Sequence, residues 1–248
     1  MKVSICFMTM DRYDFTKRTL ERNLFNHGFI GDIELLWCDN GSKDHRIFDL
    51  AKKFEPHHFR DNKINEGCAK GFNQLMLRST GDYIVLMGND VLMPPDWLNE
   101  MVKYANHVPN SGFIGIKCSA PIPPMSYKFG CHGHFLNDEI NRVFGVTLFR
   151  REIFEKLGGF NEEFGNYGLE DSEFNIRVNL AGYNSLYVPS TFFKSEHIGE
   201  DVGQDTEYRK MKWDEIAKND PIFNRLIPEY VAGTKSVFLT KPEMRDPL

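Results

Sequence analysis

Tyr83-Ile84-Val85-Leu86-Met87-Gly88-Asn89-Asp90 is the stretch on which the fold turns. Five consecutive apolar residues between Gly81-Asp82 and Gly88-Asn89-Asp90 are too few for a helix and specify a strand buried on both faces. Upstream, residues 3–8 form a second such run, and residues 33–38 a third that ends in Asp39-Asn40-Gly41-Ser42. Residues 57–60 fit a short further strand, and residues 112–117 another. Helix-patterned segments fall between them: 14–27, with Phe15, Leu20, Leu24 and Phe25 apolar, then 43–54 and 66–79. Residues 94–107 make a further helix with prolines at its start, where a missing N–H costs little. Such alternation predicts an α/β fold, a mostly parallel sheet flanked by helices in a single domain. Sheets of this kind bind ligands beyond the carboxyl ends of their strands. Here two strands end in polar, turn-forming clusters at that edge.

The second half is less regular. Residues 119–138, rich in Pro, Gly and His, are expected to loop over the site. A strand over 142–149, a helix over 150–157 closed by Gly158-Gly159, and a helix over 171–181 ending at Gly182 follow. A strand over 183–188 stops at Pro189, and Phe192-Phe193 suits a short strand returning to the site. Residues 208–218 have a helical pattern, and 240–248 hold two prolines and few order-promoting signals. The expected organisation is one domain over 1–203, a regular half over 1–118 followed by a less regular half over 119–203. A C-terminal extension, 204–248, then packs on it.

The 248 residues suffice for one large α/β domain and not for two full enzyme domains. A net charge of −5 argues against a surface wholly devoted to nucleic acid. The 21 phenylalanines are assigned mainly to the core. Five scattered cysteines with no CxxC pair disfavour structural zinc and suit a reducing, cytoplasmic compartment. No apolar run approaches the about 18 residues that span a bilayer, so no transmembrane anchor is expected.

Five clusters carry chemistry. A strand-end carboxylate such as Asp39 can accept hydrogen bonds from a nucleotide's base or ribose, and equally can hold an Asx-turn. In the first role, its loss should weaken nucleotide binding with little loss of stability. Asn65-Glu66-Gly67-Cys68-Ala69-Lys70-Gly71-Phe72-Asn73 sets small residues around a lysine, which suits a phosphate or simply a tight helix contact. Asp90 can ligate Mn²⁺ or Mg²⁺ bridging a diphosphate, which needs a second protein ligand. Glu170-Asp171 follow a Gly-rich aromatic loop, although acidic residues also suit a helix start on dipole grounds alone. His197, in Ser195-Glu196-His197-Ile198-Gly199, is either the missing metal ligand or a structural histidine.

In order and spacing, these clusters resemble the family 2 glycosyltransferases of GT-A fold over roughly residues 2–199. The resemblance implies a Rossmann-like GT-A sheet, with a nucleotide-sugar-binding half over 1–118 and an acceptor and catalytic half over 119–203, and an inverting hexosyl- or pentosyltransferase using a nucleotide-sugar donor, UDP-linked, with Mn²⁺ or Mg²⁺. It implies donor contacts from Thr9, Arg12, Asp39, Asn65, Gly67, Lys70, Asn89 and Asp90, with Asn73 in the same nucleotide-contacting stretch. It implies a metal held by Asp90 and His197, with Asp171 as catalytic base and Glu170 positioning the acceptor or ordering its loop. Gly88-Asn89-Asp90 departs from the family's Asp-x-Asp by keeping only the last carboxylate, and Met10-Asp11 stands where Tyr-Asn is common. The acceptor is open among a glycan, a protein, a small molecule and a modified nucleic acid base. Tyr127, Phe129 and Tyr167 are candidate stacking faces for it, with Cys131 to His134 at the centre of the long loop. Two alternatives compete. A degenerate sugar-nucleotide or glycan-binding module is suggested by the thinned Gly88-Asn89-Asp90 and opposed by Glu170, Asp171 and His197. A sugar-phosphate nucleotidyltransferase should carry a Gly-rich basic loop after its first strand, where this chain has Thr9-Met10-Asp11-Arg12.

Overall fold

The computed structural model describes residues 1–118, 145–189, 193–199 and 206–239. The expected loop over 119–138, with Tyr127, Phe129 and Cys131, lies outside them, as do Phe192, residues 142–144 of the expected 142–149 strand and the 240–248 tail.

Seven strands form one sheet: β1 (Lys2–Thr9), β2 (Asp32–Asn40), β3 (His58–Asn62), β4 (Tyr83–Met87), β6 (Ser111–Gly115), β7 (Thr147–Arg150) and β8 (Asn184–Tyr187). Their order is β3-β2-β1-β4-β7-β6-β8. The first four are parallel, β7 runs antiparallel to both its neighbours, and β8 is parallel to β6. A second, two-stranded sheet pairs β5 (Val91–Leu92) with β9 (Glu196–His197). Strand order reverses between β1 and β4, which opens a crevice at their carboxyl ends.

Alternate side chains of the buried strands serve two cores. Val3, Ile5, Phe7, Tyr83, Val85 and Met87 face one side, beneath α1 (Tyr13–Phe25), α2 (Arg46–Phe54) and α4 (Trp97–His107). Cys6, Ile84 and Leu86 face the other, beneath α3 (Cys68–Arg78), α5 (Arg151–Leu157) and α6 (Glu170–Leu180). On that side Phe113, Phe149, Phe160 and Phe174 pack with centroids 4.9–6.0 Å apart. They bear out the assignment of phenylalanine to the core. A last helix, α7 (Thr206–Val231), continues through Pro221 and Pro228 and packs Phe223, Leu226, Ile227 and Tyr230 against Phe164 and Ile176.

Three elements differ from expectation. The Pro94-Pro95 segment precedes α4, which begins at Trp97 after Asp96 in the left-handed region (φ 62). Asn23 of α1 holds that segment extended: its side chain bonds Val91 O and Met93 N, and its carbonyl accepts from Trp97 Nε1. The strand that returns to the site is Glu196–His197, in register with Val91–Leu92; of the expected Phe192-Phe193 strand, Phe193 lies outside any strand and Phe192 falls outside the described residues. The helix expected over 208–218 extends to Val231, because its apolar face is covered by tertiary contacts that outweigh the prolines. Among the described residues, no helix is long and apolar enough to cross a membrane.

Candidate functional site

At the β1 and β2 ends, Thr9 and Asp39 are register partners. Thr9 Oγ1 donates to Asp39 Oδ1 (3.1 Å) and accepts from Trp37 Nε1 (2.9 Å). Ser42 donates to Asp39 through its N–H (3.0 Å, to Oδ2) and its hydroxyl (2.5 Å, to Oδ1). Burial pushes the Asp39 carboxyl above its ordinary range, and the bonds from Ser42 and Thr9 pull it back. Asp39 is therefore an Asx-turn residue inside a buried network, whatever else it contacts. These bonds argue against the expectation that it can be lost with little effect on stability.

The β1–α1 turn is locked to the same loop. Asp11 N donates to Ser42 Oγ (2.6 Å), and Asp11 Oδ1 accepts from the N–H groups of Lys43 (2.6 Å) and Asp44 (2.9 Å). Asp11 and Arg12 both lie in the left-handed region, φ 52 and 58. That conformation costs a non-glycine residue about 1–2 kcal/mol, and here the surrounding bonds enforce it.

Asn40 is buried and joins three segments: its amide donates to Asn65 Oδ1 (2.9 Å) and Gly67 O (3.2 Å), while its oxygen accepts from Asn62 and from Glu66 N. Asn65 Oδ1 also accepts from Gly67 N (2.9 Å), which fixes the turn into α3. Gly67 has φ 87, and a Cβ there would stand 2.8 Å from Gly165 O. Cys68 N donates to Asn166 O (3.0 Å), so the loop before α6 rests on the start of α3. Lys70 is half exposed and pairs with Glu66. Asn73 lies away from this turn: it is buried, and its amide bonds Phe160 and Glu162.

Across the switch point, Asn89 turns its amide to Thr16 of α1 (3.0 Å) and its carbonyl to Thr19 (2.9 Å). Asp90 Oδ2 lies 3.2 Å from Arg12 Nη1 and 3.6 Å from His197 Nε2. The β5–β9 pairing sets Val91 opposite His197, and Ile198 N donates to Asp90 O (2.8 Å). Among the described residues, no three His, Cys, Asp or Glu side chains cluster as a metal site. One carboxylate oxygen and one imidazole nitrogen 3.6 Å apart can still share a divalent ion at ligand distances of about 2.1 Å, leaving its other positions to diphosphate oxygens. The donor set fits such an ion as half a site.

Glu170 and Asp171 open α6 behind Leu169, a non-glycine residue at φ 72. Asp171 Oδ1 accepts from Ser172 N (2.6 Å). It occupies the second helical position rather than the cap, which Leu169 holds without a side-chain bond. Glu170 is buried, and its Oε2 has no hydrogen-bond partner among the described residues. Burial, then the neighbouring Asp171 charge, raise its carboxyl to about 8. The Cys68 thiol is also pushed up, first by burial, then by the charges of Glu170 and Asp171, opposed by Lys212, and by Asp90.

Sequence reasoning missed three contributors. Asp11 and Ser42 tie the two strand-end turns together, and only the Asp and Ser of turn-forming strings hinted at it. Lys212 of α7 is buried over the Tyr167 ring (4.9 Å) and carried no motif signal.

A family model described as glycosyl transferase family 2 matches residues 4–158, and one described as the N-terminal domain of galactosyltransferase matches 134–201. An uncharacterized protein of Sinorhizobium fredii is 26% identical over 90% of this chain and 28% of its own length. The O-antigen biosynthesis protein RfbC of Myxococcus xanthus is 28% identical over 77% of this chain and 17% of its own. This chain thus spans less than a third of either relative. A mannosyltransferase from Pyrobaculum calidifontis in complex with GDP-Man and Mn²⁺ superposes with a TM-score of 0.59 at 21% identity, over 76% of this chain and 55% of that one. S. aureus TarS in complex with UDP does so with a TM-score of 0.62 at 16% identity, over 94% and 72%. Both share the fold.

Proposed function

The chain belongs to glycosyl transferase family 2, and from that membership we propose that it transfers a sugar from a UDP-linked donor to an acceptor hydroxyl, with inversion and with help from a divalent cation. The observation that carries this reading is that the loop leading into Glu170 and Asp171 rests on the start of α3, through Cys68 N and Asn166 O, at the carboxyl edge of the parallel strands where Asp90 meets Arg12 and His197. The complexes of the similar structures with GDP-Man and with UDP support a nucleoside diphosphate as the donor's leaving portion.

In this reading the Asp39 network and the Gly67 turn hold the nucleoside end of the donor. Asp90 and His197 hold the cation, which when bound supplies positive charge to the departing diphosphate. Gly67, lacking a Cβ, lets the loop of Gly165 and Asn166 approach and brings Asp171 to the same crevice. An acceptor hydroxyl must lose its proton as it attacks the anomeric carbon, and Asp171 takes it. Glu170, buried and held neutral at ordinary pH, directs the acceptor side without competing as a base. Tyr167, half-buried at the loop's end, offers a face for an acceptor ring.

The test is nucleoside diphosphate release from a panel of nucleotide sugars, with and without Mn²⁺, for the unmodified protein and Asp171→Asn. Asn preserves shape and removes the base, so turnover should fall by about 100-fold or more, with donor binding by calorimetry within a few-fold. Full turnover by Asp171→Asn would remove Asp171 from the base role. Binding of UDP without release from any donor would replace the transferase by a binding module.

A further inference from the structure

Arg12 stands where a simple donor contact is expected, yet its guanidinium is already engaged on three sides. It lies 4.5 Å from the centroid of the Phe15 ring, 3.2 Å from Asp90 Oδ2, and 3.2 Å from the Gly199 carbonyl, to which Nη2 donates. Both members of the Arg12–Asp90 pair are largely buried, at 12% and 15% side-chain exposure. The fit is close: a Cβ on residue 199 would come within 2.6 Å of Asp90 Oδ2 and 2.8 Å of Arg12 Nη2. The backbone that aims Arg12 is itself held in an uncommon conformation by Asp11, Ser42, Lys43 and Asp44. Arg12 also caps α1, the positive end of a helix, where an anion is favoured and a cation is not. The contact therefore joins the end of β1, the end of β4 and the residues after β9 across the switch point.

The oxygen that faces Arg12 is the one that faces His197. A divalent ion ligated by that oxygen would sit beside a fixed guanidinium, and like charges in a half-buried site repel strongly. Before a donor arrives, one carboxylate and one guanidinium cancel, which leaves little to attract a free cation. A diphosphate changes the balance, because it brings several negative charges and gives the guanidinium a better partner than Asp90.

Resting on the family 2 reading above, we propose that Arg12 is the resident counter-cation of Asp90: it holds the Gly199 segment closed over that carboxylate in the donor-free state. It moves onto the diphosphate as the donor enters, and so couples cation uptake to donor binding. Coupling of this kind is reciprocal, so the donor must tighten the cation by the factor by which the cation tightens the donor.

The experiment measures Mn²⁺ binding by the loss of the free-ion paramagnetic signal, with and without UDP, and UDP binding by calorimetry in EDTA. The proteins are the unmodified chain, Arg12→Gln and Arg12→Lys, each checked for an intact fold by its thermal transition. Arg12→Gln is expected to bind Mn²⁺ about tenfold or more tightly without UDP, to lose most of the UDP-induced gain in Mn²⁺ affinity, and to bind UDP more weakly in EDTA. Arg12→Lys, which keeps the charge and loses the fork, should fall between. Intact UDP binding with the same Mn²⁺ affinity in the unmodified protein and Arg12→Gln would overturn the role of Arg12 alone. Absence of UDP binding in every protein, with or without Mn²⁺, would overturn the donor reading and this proposal with it.

Discussion

Glu170 and Asp171 are neighbours in sequence with opposite environments. Asp171 is bonded by Ser172 N, whereas Glu170 is buried with one oxygen unpartnered. Because the folded state raises the Glu170 carboxyl, the native protein binds a proton there that the unfolded chain releases above its ordinary value near 4.5. Stability at this position therefore falls as pH rises from about 4.5 towards about 8, where the folded group also ionises. Glu170→Gln keeps the shape and cannot ionise. Its thermal midpoint should match the unmodified protein near pH 5 and exceed it by several degrees at pH 8. A midpoint difference that does not change with pH would mean that Glu170 is charged and paired. The adjacency of two acidic residues was legible in the sequence. Their division into a buried acid and a bonded carboxylate was not, because it depends on which one the packing of α6 against the loop turns inward.

At the scale of elements, the strand ends act as one unit. Thr9, Asp39 and Ser42 form a buried network whose other side, through Asp11, fixes the turn that carries Arg12. Asp39→Ala removes the acceptor for Ser42 and Thr9 together. It should lower stability by about 1–3 kcal/mol, read as a drop in urea midpoint, and weaken UDP binding in the same protein. A stability unchanged within error would mean that the network relaxes around the loss. The strand end itself was visible in the alternation of apolar runs and turn residues, which depends on neighbours along the chain. The two-residue strands β5 and β9 were not, since Val91–Leu92 forms a strand only because Glu196–His197 comes back to pair with it.

Over the whole molecule, α7 braces the loop before Glu170 and Asp171 from behind. Asn219 accepts from Gly165 N and donates to the carbonyls of Tyr167 and Gly168, and Gly168 (φ 96) leaves room for Ile216, whose Cγ1 would lie 2.4 Å from a Cβ there. Deeper in, Arg177 and Glu173 form a fully buried ion pair (2.8 Å), joined by Tyr230 Oη, while Arg177 also donates to the carbonyls of Leu157 and Gly159. Removing one partner of such a pair leaves an uncompensated charge. Glu173→Ala should therefore cost about 3–5 kcal/mol, measured by denaturant unfolding, whereas Lys52→Ala in an exposed pair should leave stability unchanged. A small loss at Glu173 would show that Tyr230 and water support Arg177 unaided.

The sequence alone determined the strand–helix alternation, the parallel sheet, the carboxyl-edge clusters and the family resemblance. Each rests on periodicity, turn chemistry or the order of motifs along the chain, which are local or linear properties. Tertiary structure alone decided that Asp90 meets Arg12 from 78 residues away, that Asn89 and Asn73 bind neighbouring elements, and that α7 supports the loop of Glu170 and Asp171. Those contacts follow from how the strands cross at the switch point and from which way side chains face. Both are set by long-range packing and leave no mark in the spacing of residues.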